Sequence, residues 1–377
     1  MSAVSEIVFV GLSLSSSWGN GHATTYRALL RGLNKKGCRV TFLERDVPWY
    51  APHRDLVDPD FCEFALYSSV EQLIAEHGSL LRRADAVIIG SYVPDGPAVI
   101  DRIAALDPKR LCFYDIDTPV TLARLEQGDE EYIAARQLPC FDIYFSFSGG
   151  EMLTTLEKCH GVRKAVALHC SVDPELYGKK PETVEWDLGY LGTYSPDRQP
   201  TLERLLIEPA SRLPQLRFVV AGPQFPQDIE WPENVTRIDH VPPHDHASFY
   251  SRQRFTLNVT RSDMISAGWS PSVRLFEAAA CGVPIISDDW RGLGDLFPEG
   301  EAIVVARSAD DVVAALTGLS ADRRDRIAHR AAEIVRTHHT GSARAGELID
   351  ALQTIVAPAG PRPAVFQPRQ EEFHAPR

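Results

Sequence analysis

The 377-residue chain has no C-x-x-C pair, and its seven cysteines, Cys38, Cys62, Cys112, Cys140, Cys159, Cys170 and Cys281, are odd in number and scattered. That usage argues against a disulfide framework and suits a reducing compartment, so the expected location is cytoplasmic. Long apolar runs are missing too. The stretch Ile7 to Leu14 is too short to span a bilayer and follows Glu6 with no basic leader, so it reads as a strand rather than a signal peptide. There is no basic excess: 39 Lys and Arg against 51 Asp and Glu give a formal charge of -12. Such a balance opposes nonspecific polyanion binding, which makes nucleic acid an unexpected partner, and says little about one bound nucleotide. A complete G-x-G-x-x-G is also absent. The loop from Leu12 to Thr24 carries Gly19, Asn20 and Gly21 between a strand and a helix, but no third glycine lies near Thr24, which weakens a dinucleotide-dependent oxidoreductase.

What is present is enough apolar material, 44% of residues, to fill two cores. Short apolar runs bounded by turn residues predict strands at Ile7 to Leu12, Arg39 to Leu43, Ala86 to Gly90, Arg110 to Tyr114, Ile143 to Phe147 and Ala165 to His169. Helical patterns at Thr24 to Lys35, Ser69 to Arg83, Gly96 to Leu106 and Glu151 to Lys158 fall between most of them. The second half repeats this alternation, with strands expected at Leu188 to Leu191, Arg217 to Ala221, Thr236 to His240, Thr256 to Val259, Pro284 to Ser287 and Ala302 to Val305. Alternating β and α segments imply an α/β fold of two Rossmann-like domains facing a cleft. The expected division is residues 1–170, a proline-punctuated linker 171–185, a second domain 186–340, a helix 341–356 returning to the first domain, and a proline- and charge-rich tail 357–377 that reads as disordered.

The most informative segment runs from Ser270 to Pro284. Ser270 suits an N-cap, Pro271 the first helical position, and Gly282 with Pro284 a helix end. A helix so begun offers unpaired amides and the positive end of its dipole, which makes a diphosphate a natural ligand near Ser272 and Val273. Glu277 lies one to two turns further in, and its carboxylate leans back toward that site, where it can meet a ribose hydroxyl. The plain alternative is a packing helix with an Arg274 to Glu277 pair at i,i+3.

Two such domains, the Gly192-Thr193-Tyr194 turn after the first strand of the second, and Arg274-x-Phe276-Glu277-Ala278-Ala279-Ala280-Cys281-Gly282-x-Pro284 together resemble a GT-B glycosyltransferase, in particular the CgeB-like, spore-maturation type of bacterial enzyme. The resemblance covers most of residues 5 to 350, with its specific motifs in 186 to 290. It implies that the second domain holds a nucleotide-diphosphate sugar and the first an acceptor, whether small molecule, glycan or protein. It implies further that the sugar donor is a co-substrate and that no separate cofactor or metal is needed. On that resemblance Glu277 matches the ribose-binding glutamate, Ser272 and Val273 the helix start that meets the phosphates, with Ser270 and Arg274 beside them as further donor-binding candidates, and Gly192, Thr193 and Tyr194 the turn near the diphosphate. Arg198 matches a basic position that neutralises the leaving diphosphate, or is a solvated loop arginine. His240 and Val241 lie where relatives contact the base, or form a plain strand-to-helix loop. Retaining relatives carry a second glutamate at the position of Trp269, so the stereochemistry stays open and Trp269 either covers the donor sugar or packs.

In the first domain His22 is a candidate base on an acceptor hydroxyl, a donor to the diphosphate, or a helix-cap histidine. Asp115-Ile116-Asp117 looks like a D-x-D metal motif, but the duplicated α/β layout favours amides and arginine over a metal. Asp117, at a strand's carboxyl end, is the second candidate base or a helix cap. Asp288 and Asp289 follow another strand and either contact sugar hydroxyls or cap a helix. Against the transferase stand two other readings, a nucleotide-sugar epimerase on the same fold and a noncatalytic nucleotide-sugar or glycan-binding module.

Overall fold

The computed structural model describes residues 4–18 and 21–355. Gly19, Asn20 and the stretch 357–377 lie outside the described residues. In the first half the order is β1 (Glu6–Gly11), α1 (His22–Lys35), β2 (Arg39–Arg45), β3 (Glu63–Tyr67), α2 (Val70–Arg83), β4 (Ala86–Gly90), α3 (Gly96–Ala104), β5 (Leu111–Asp115), α4 (Thr118–Glu126), β6 (Ile143–Ser146), α5 (Glu151–Cys159) and β7 (Ala165–Ala167). These strands form a seven-stranded sheet in the order β3-β2-β1-β4-β5-β6-β7, every pair parallel. The second half runs β8 (Leu188–Leu191), α6 (Gln199–Leu202), α7 (Glu208–Arg212), β9 (Phe218–Ala221), β10 (Val235–Ile238), α8 (His246–Ser251), β11 (Thr256–Asn258), α9 (Ser262–Ala267), α10 (Val273–Ala280), β12 (Ile285–Ser287), α11 (Leu293–Leu296) and β13 (Val304–Val305), then α12 (Ala309–Gly318), α13 (Ala321–His338) and α14 (Gly341–Thr354). Its six strands are parallel in the order β10-β9-β8-β11-β12-β13.

Both sheets are doubly wound. Such a sheet reverses its winding beside its first strand, between β1 and β4 in one domain and between β8 and β11 in the other, and ligands enter the crevice at the carboxyl ends of those strands. The inner strands are buried on both faces, which is why they read as unbroken apolar runs, while the edge strands β3, β7, β10 and β13 are partly exposed. Strand β3 was not predicted, because Glu63-Phe64-Ala65-Leu66-Tyr67 has no β-branched residue and sits at a sheet edge, where pairing with β2 decides its conformation.

The helix expected from Ser270 also differs from expectation at its start. Helix α10 begins at Val273 with Ser272 at the N-cap. Ser270 is two residues outside it, and its hydroxyl is held by Ser148 Oγ at 2.5 Å and donates to the Gly268 carbonyl at 2.8 Å. Pro271 therefore precedes the cap, and a residue before proline favours extended backbone.

The chain crosses between domains twice, and the crossings pair. The Val172 N–H donates to the His339 carbonyl at 3.1 Å, and the Gly341 N–H donates to the Val172 carbonyl at 3.2 Å. Helix α14 then lies on α1 at a distance only glycine allows: a Cβ on Gly32 would stand 2.2 Å from Gly341 O, and one on Gly341 would stand 1.9 Å from Ala28 O. One apolar core consequently runs from β1 and β2 through α14 to α10 and α13.

Candidate functional site

The first crevice collects side chains from the carboxyl ends of β1, β4 and β5. His22 opens α1 after β1, and Tyr92 follows β4 with a left-handed backbone, φ 63°. Their rings meet edge to face at 5.3 Å, Tyr92 lies on Tyr132 at 4.4 Å, and the Tyr92 hydroxyl donates to Asp117 Oδ2 at 3.2 Å. The two predicted bases are thus brought together across one tyrosine. Asp117 occupies the N-cap position of α4 without making a side-chain cap bond. Burial pushes its carboxyl up to about 6, while the Arg261 guanidinium and the Tyr92 hydroxyl pull the other way. Burial lowers His22 to about 4, so its ring is neutral at pH 7, and its Nδ1 has no hydrogen-bond partner among the described residues.

Asp115 behaves differently from Asp117. It accepts from Thr121 Oγ1 at 2.8 Å and from Tyr144, and its role here is to tie α4 and β6 to β5. Among the described residues no group of three or more His, Cys, Asp or Glu is arranged to hold a metal ion.

In the second crevice Gly192 follows β8 and Gly222 follows β9. A Cβ on Gly192 would stand 2.5 Å from Arg274 Nη2, and one on Gly222, at φ 139°, would stand 2.0 Å from Gly192 O. The missing side chains make room for Arg274, whose Nε donates to the Leu191 carbonyl, whose Nη1 donates to Asn258 Oδ1 at 3.2 Å, and whose guanidinium covers Tyr190 at 4.8 Å. Arg274 is buried and turned away from Glu277, so the i,i+3 surface pair does not form. Ser272 Oγ joins it on Asn258 Oδ1 at 2.7 Å. Arg198 comes from the same turn, donating from Nη2 to the Thr193 carbonyl at 2.7 Å, while its buried Nε has no partner among the described residues. Burial and the neighbouring Arg274 and Arg261 guanidinium groups lower Arg198. The three arginines share no carboxylate within ion-pair distance among the described residues. Val273 starts α10 beside them, Thr193 is exposed, and Tyr194 rests on Phe225 at 5.5 Å.

Glu277 is buried on the same helix. Its Oε2 accepts from Tyr250 at 3.3 Å and lies 3.9 Å from His246 Nδ1. His246 Nε2 faces the Val241 carbonyl at 3.0 Å; a carbonyl only accepts, so that nitrogen carries the proton. The linker residue Tyr177 reaches the other ring nitrogen at 3.3 Å. His240 is exposed beside Val241.

Trp269 and Ser270 join the seam between the domains instead. The Gly149 N–H donates to the Trp269 carbonyl at 2.9 Å, and the indole Nε1–H donates to Asp295 Oδ2 at 2.7 Å. A Cβ on Gly150 or on Gly292 would stand 2.4 Å from the ring, and Arg291 lies over it at 5.3 Å. The ring is thus packed at the seam between the domains. Asp288 is likewise spent within its domain, accepting from the Thr260 N–H at 2.7 Å and Thr260 Oγ1 at 2.8 Å, and Asp289 pairs with Arg307 at 2.9 Å. Of the acceptor loop only Gly21 is described, and a Cβ there would meet nothing within 4 Å.

Tyr92, Arg261, Asn258, Tyr177 and His246 were not singled out from the sequence. Tyr92, Asn258 and Arg261 lie at or just after the carboxyl ends of strands, the same signal that picked out Asp117. Tyr177 and His246 carry no such mark, since only the fold brings the linker to α8.

Residues 198–350 match a family model described as glycosyl transferase-like. No curated protein sequence matches the chain. Sucrose-phosphate synthase from Thermosynechococcus elongatus superposes with a TM-score of 0.69 at 13% identity, over 93% of this chain and 98% of its own. The fold is that of the GT-B glycosyltransferases. Anabaena HepE in complex with UDP and glucose aligns over 93% of this chain and 100% of its own, at 13% identity and a TM-score of 0.66. An alpha-glucosyltransferase in complex with UDP-glucose and DNA containing an abasic site gives a TM-score of 0.65 at 16% identity, over 92% and 99%. The GT-B arrangement sets the two crevices against a common cleft.

Proposed function

We propose that the chain is a glycosyltransferase of the CgeB-like type, moving a sugar, a hexose in the first instance, from a nucleotide diphosphate to an acceptor hydroxyl without a metal ion. The observation that carries this reading is the trio Arg198, Arg261 and Arg274 near the start of α10, none in an ion pair within 4 Å among the described residues, with Asp117, Asp197 and Asp288 acting on them only from further off. Like charges so gathered are relieved by a bound polyanion. In this reading the diphosphate lies on these arginines and the α10 amides, its ribose meets Glu277, and the base lies toward His240 and Val241. Asp117 takes the proton from the acceptor hydroxyl, the acceptor oxygen bonds to the sugar's anomeric carbon, and the bond from that carbon to the phosphate oxygen breaks. Its electron pair leaves on the diphosphate, which the arginines stabilise. Neutral His22 orients the acceptor. Closure about the paired crossings at Val172 and Thr340 brings the halves of the site together.

UDP and UDP-glucose appear with the structural neighbours HepE and the alpha-glucosyltransferase, which makes UDP the first nucleotide to try. A thermal-shift panel of UDP, GDP, dTDP, ADP and their sugar conjugates tests the reading, because a ligand of the native state raises the melting temperature. One diphosphate should give a selective rise that Arg198→Ala and Glu277→Ala abolish. A flat response across the panel would sink the donor site. The noncatalytic binding module is the second reading, favoured by Trp269 at a position where retaining enzymes have a glutamate; it would bind nucleotide sugar and never release free nucleotide. With a charge of -12 the chain is not expected to act on nucleic acid, and a reducing cytoplasm remains the proposed location.

A further inference from the structure

Five large apolar side chains are exposed among the described residues, and three of them, Trp18 at 51%, Trp49 at 54% and Val57 at 70%, stand on two adjoining loops of the first domain. These loops follow β1 and β2, so they lie at the carboxyl edge of the sheet, beside the crevice that holds His22, Tyr92 and Asp117. Trp18 stacks on His53 at 4.4 Å with ring planes 10° apart, and Trp49 precedes the same turn.

The loops are braced rather than loose. Buried Glu44 accepts from the Leu14 N–H at 2.6 Å, the Ser15 N–H at 2.9 Å and Ser15 Oγ at 2.6 Å. Ser16 Oγ donates to the His53 carbonyl at 2.8 Å, and Asp55 accepts from Ser17 Oγ at 2.7 Å and Arg27 Nη2 at 2.6 Å. Trp18 follows the braced segment and stacks on His53, and Trp49 lies against Tyr50 at 6.3 Å; an exposed indole keeps its hydrophobic cost in the free protein and loses two side-chain torsions at most when a ligand covers it.

The surrounding charges select the occupant. Asp46, Asp55, Asp58 and Asp60 are exposed on the second loop; Asp46 pairs with Arg54 and Asp55 with Arg27, while Asp58 and Asp60 have no ion pair among the described residues, so the loop keeps carboxylates that oppose an anionic bilayer surface and can accept from hydroxyl groups. A sugar ring suits both features, since its C–H face packs on an aromatic face while its rim hydroxyls donate to carboxylates. Neighbouring strands are about 4.8 Å apart, so Asp117 after β5 and the β1 and β2 loops are separated by roughly 10 to 15 Å across the sheet, more than one sugar ring covers.

We propose that Trp18 and Trp49 form an acceptor platform for a glycan of at least two sugar rings, whose terminal hydroxyl reaches Asp117 while the rings behind it rest on the indoles. The proposal depends on the glycosyltransferase reading for the role of acceptor, though not for the binding itself.

Titration of the whole protein with cello-, malto-, chito- and xylotriose and their monosaccharides, followed by tryptophan fluorescence, tests it, with the nucleotide thermal-shift panel run in parallel. At least one trisaccharide should bind saturably and its monosaccharide at least about tenfold more weakly. Trp18→Ala and Trp49→Ala should each weaken the trisaccharide by about tenfold or more and leave the nucleotide response unchanged. Nucleotide binding without any saccharide binding overturns the platform and leaves the donor reading standing, as does saccharide binding indifferent to both tryptophans. Binding of 2-naphthol or phosphatidylglycerol vesicles through Trp18 in place of sugars also overturns it. Saccharide binding at the tryptophans with no nucleotide response supports the platform and removes the transferase.

Discussion

A single tyrosine joins the two candidate bases of the first crevice. The Tyr92 hydroxyl bonds to the carboxylate of Asp117, which favours its charged form, while burial favours the neutral one and leaves the group at about 6. If Asp117 is the base, kcat/KM should rise with pH through about 6, and Asp117→Asn should lower kcat by about 10²- to 10⁴-fold. Tyr92→Phe removes the stabilising donor, so the acid limb of the pH profile should move to higher pH; an unmoved limb would assign that titration to another group. Glu277 offers a second residue-scale test. A hydrogen bond to a charged group is worth about 1.5 to 3 kcal/mol, so Glu277→Ala should weaken nucleotide binding by about tenfold to a hundredfold in calorimetry, with the unfolding midpoint of the free protein nearly unchanged.

At the scale of elements, contact is set by the smallest residues. Helix α14 reaches α1 only because Gly32 and Gly341 let backbone meet backbone, with Cβ positions 2.2 Å and 1.9 Å from carbonyl oxygens. Gly341→Ala should therefore cost about 1 to 3 kcal/mol or more in urea unfolding, whereas Gly21→Ala, where a Cβ meets nothing within 4 Å, should cost far less. The turn after β8 works likewise. Gly192→Ala would push its methyl into the Arg274 guanidinium, and the expected result is lost nucleotide affinity in a protein that still folds.

The whole molecule is held at a hinge and at a seam. Three histidines are buried and lowered, His22 to about 4, His169 to about 4 and His339 to about 3, the last two beside the crossings. Between those values and the ordinary histidine range the unfolded chain binds more protons, so their contribution is fully present above about 6.5 and is lost as pH falls toward 4. Asp115 and Asp117, both raised to about 6, act in the opposite sense, because the native state holds the extra protons there. Asp117→Asn should therefore make the decline in stability between pH 6 and 4.5 steeper, a difference that melting temperatures across that range would reveal. At the seam, Trp269→Ala removes the ring lodged between Gly150 and Gly292. It should increase the radius of gyration in small-angle scattering as the domains part, while Arg291→Ala, which removes the exposed pair with Glu151 at 2.7 Å and the guanidinium over the indole but leaves the ring lodged, should have a smaller effect.

Local physics was legible in the residues alone. Unbroken apolar runs bounded by turn residues marked most strands because a parallel sheet buries both faces, and caps and small residues marked a helix leading to Glu277. Edge strand β3 escaped because it has no β-branched residue and carries Glu63 and Ala65 beside its aromatics, and the start of α10 moved by two residues, with Ser270 bonded to Ser148 across the seam. Residues such as Ser272, Arg274 and Glu277 could be nominated from one segment, since a helix fixes their spacing. The joining of His22 to Asp117 through Tyr92, of Arg198 to Arg274 behind Gly192, and of Tyr177 to His246 could not. Those groups are tens of residues apart in the chain, and only the crossing order of two doubly wound sheets sets which strand ends become neighbours.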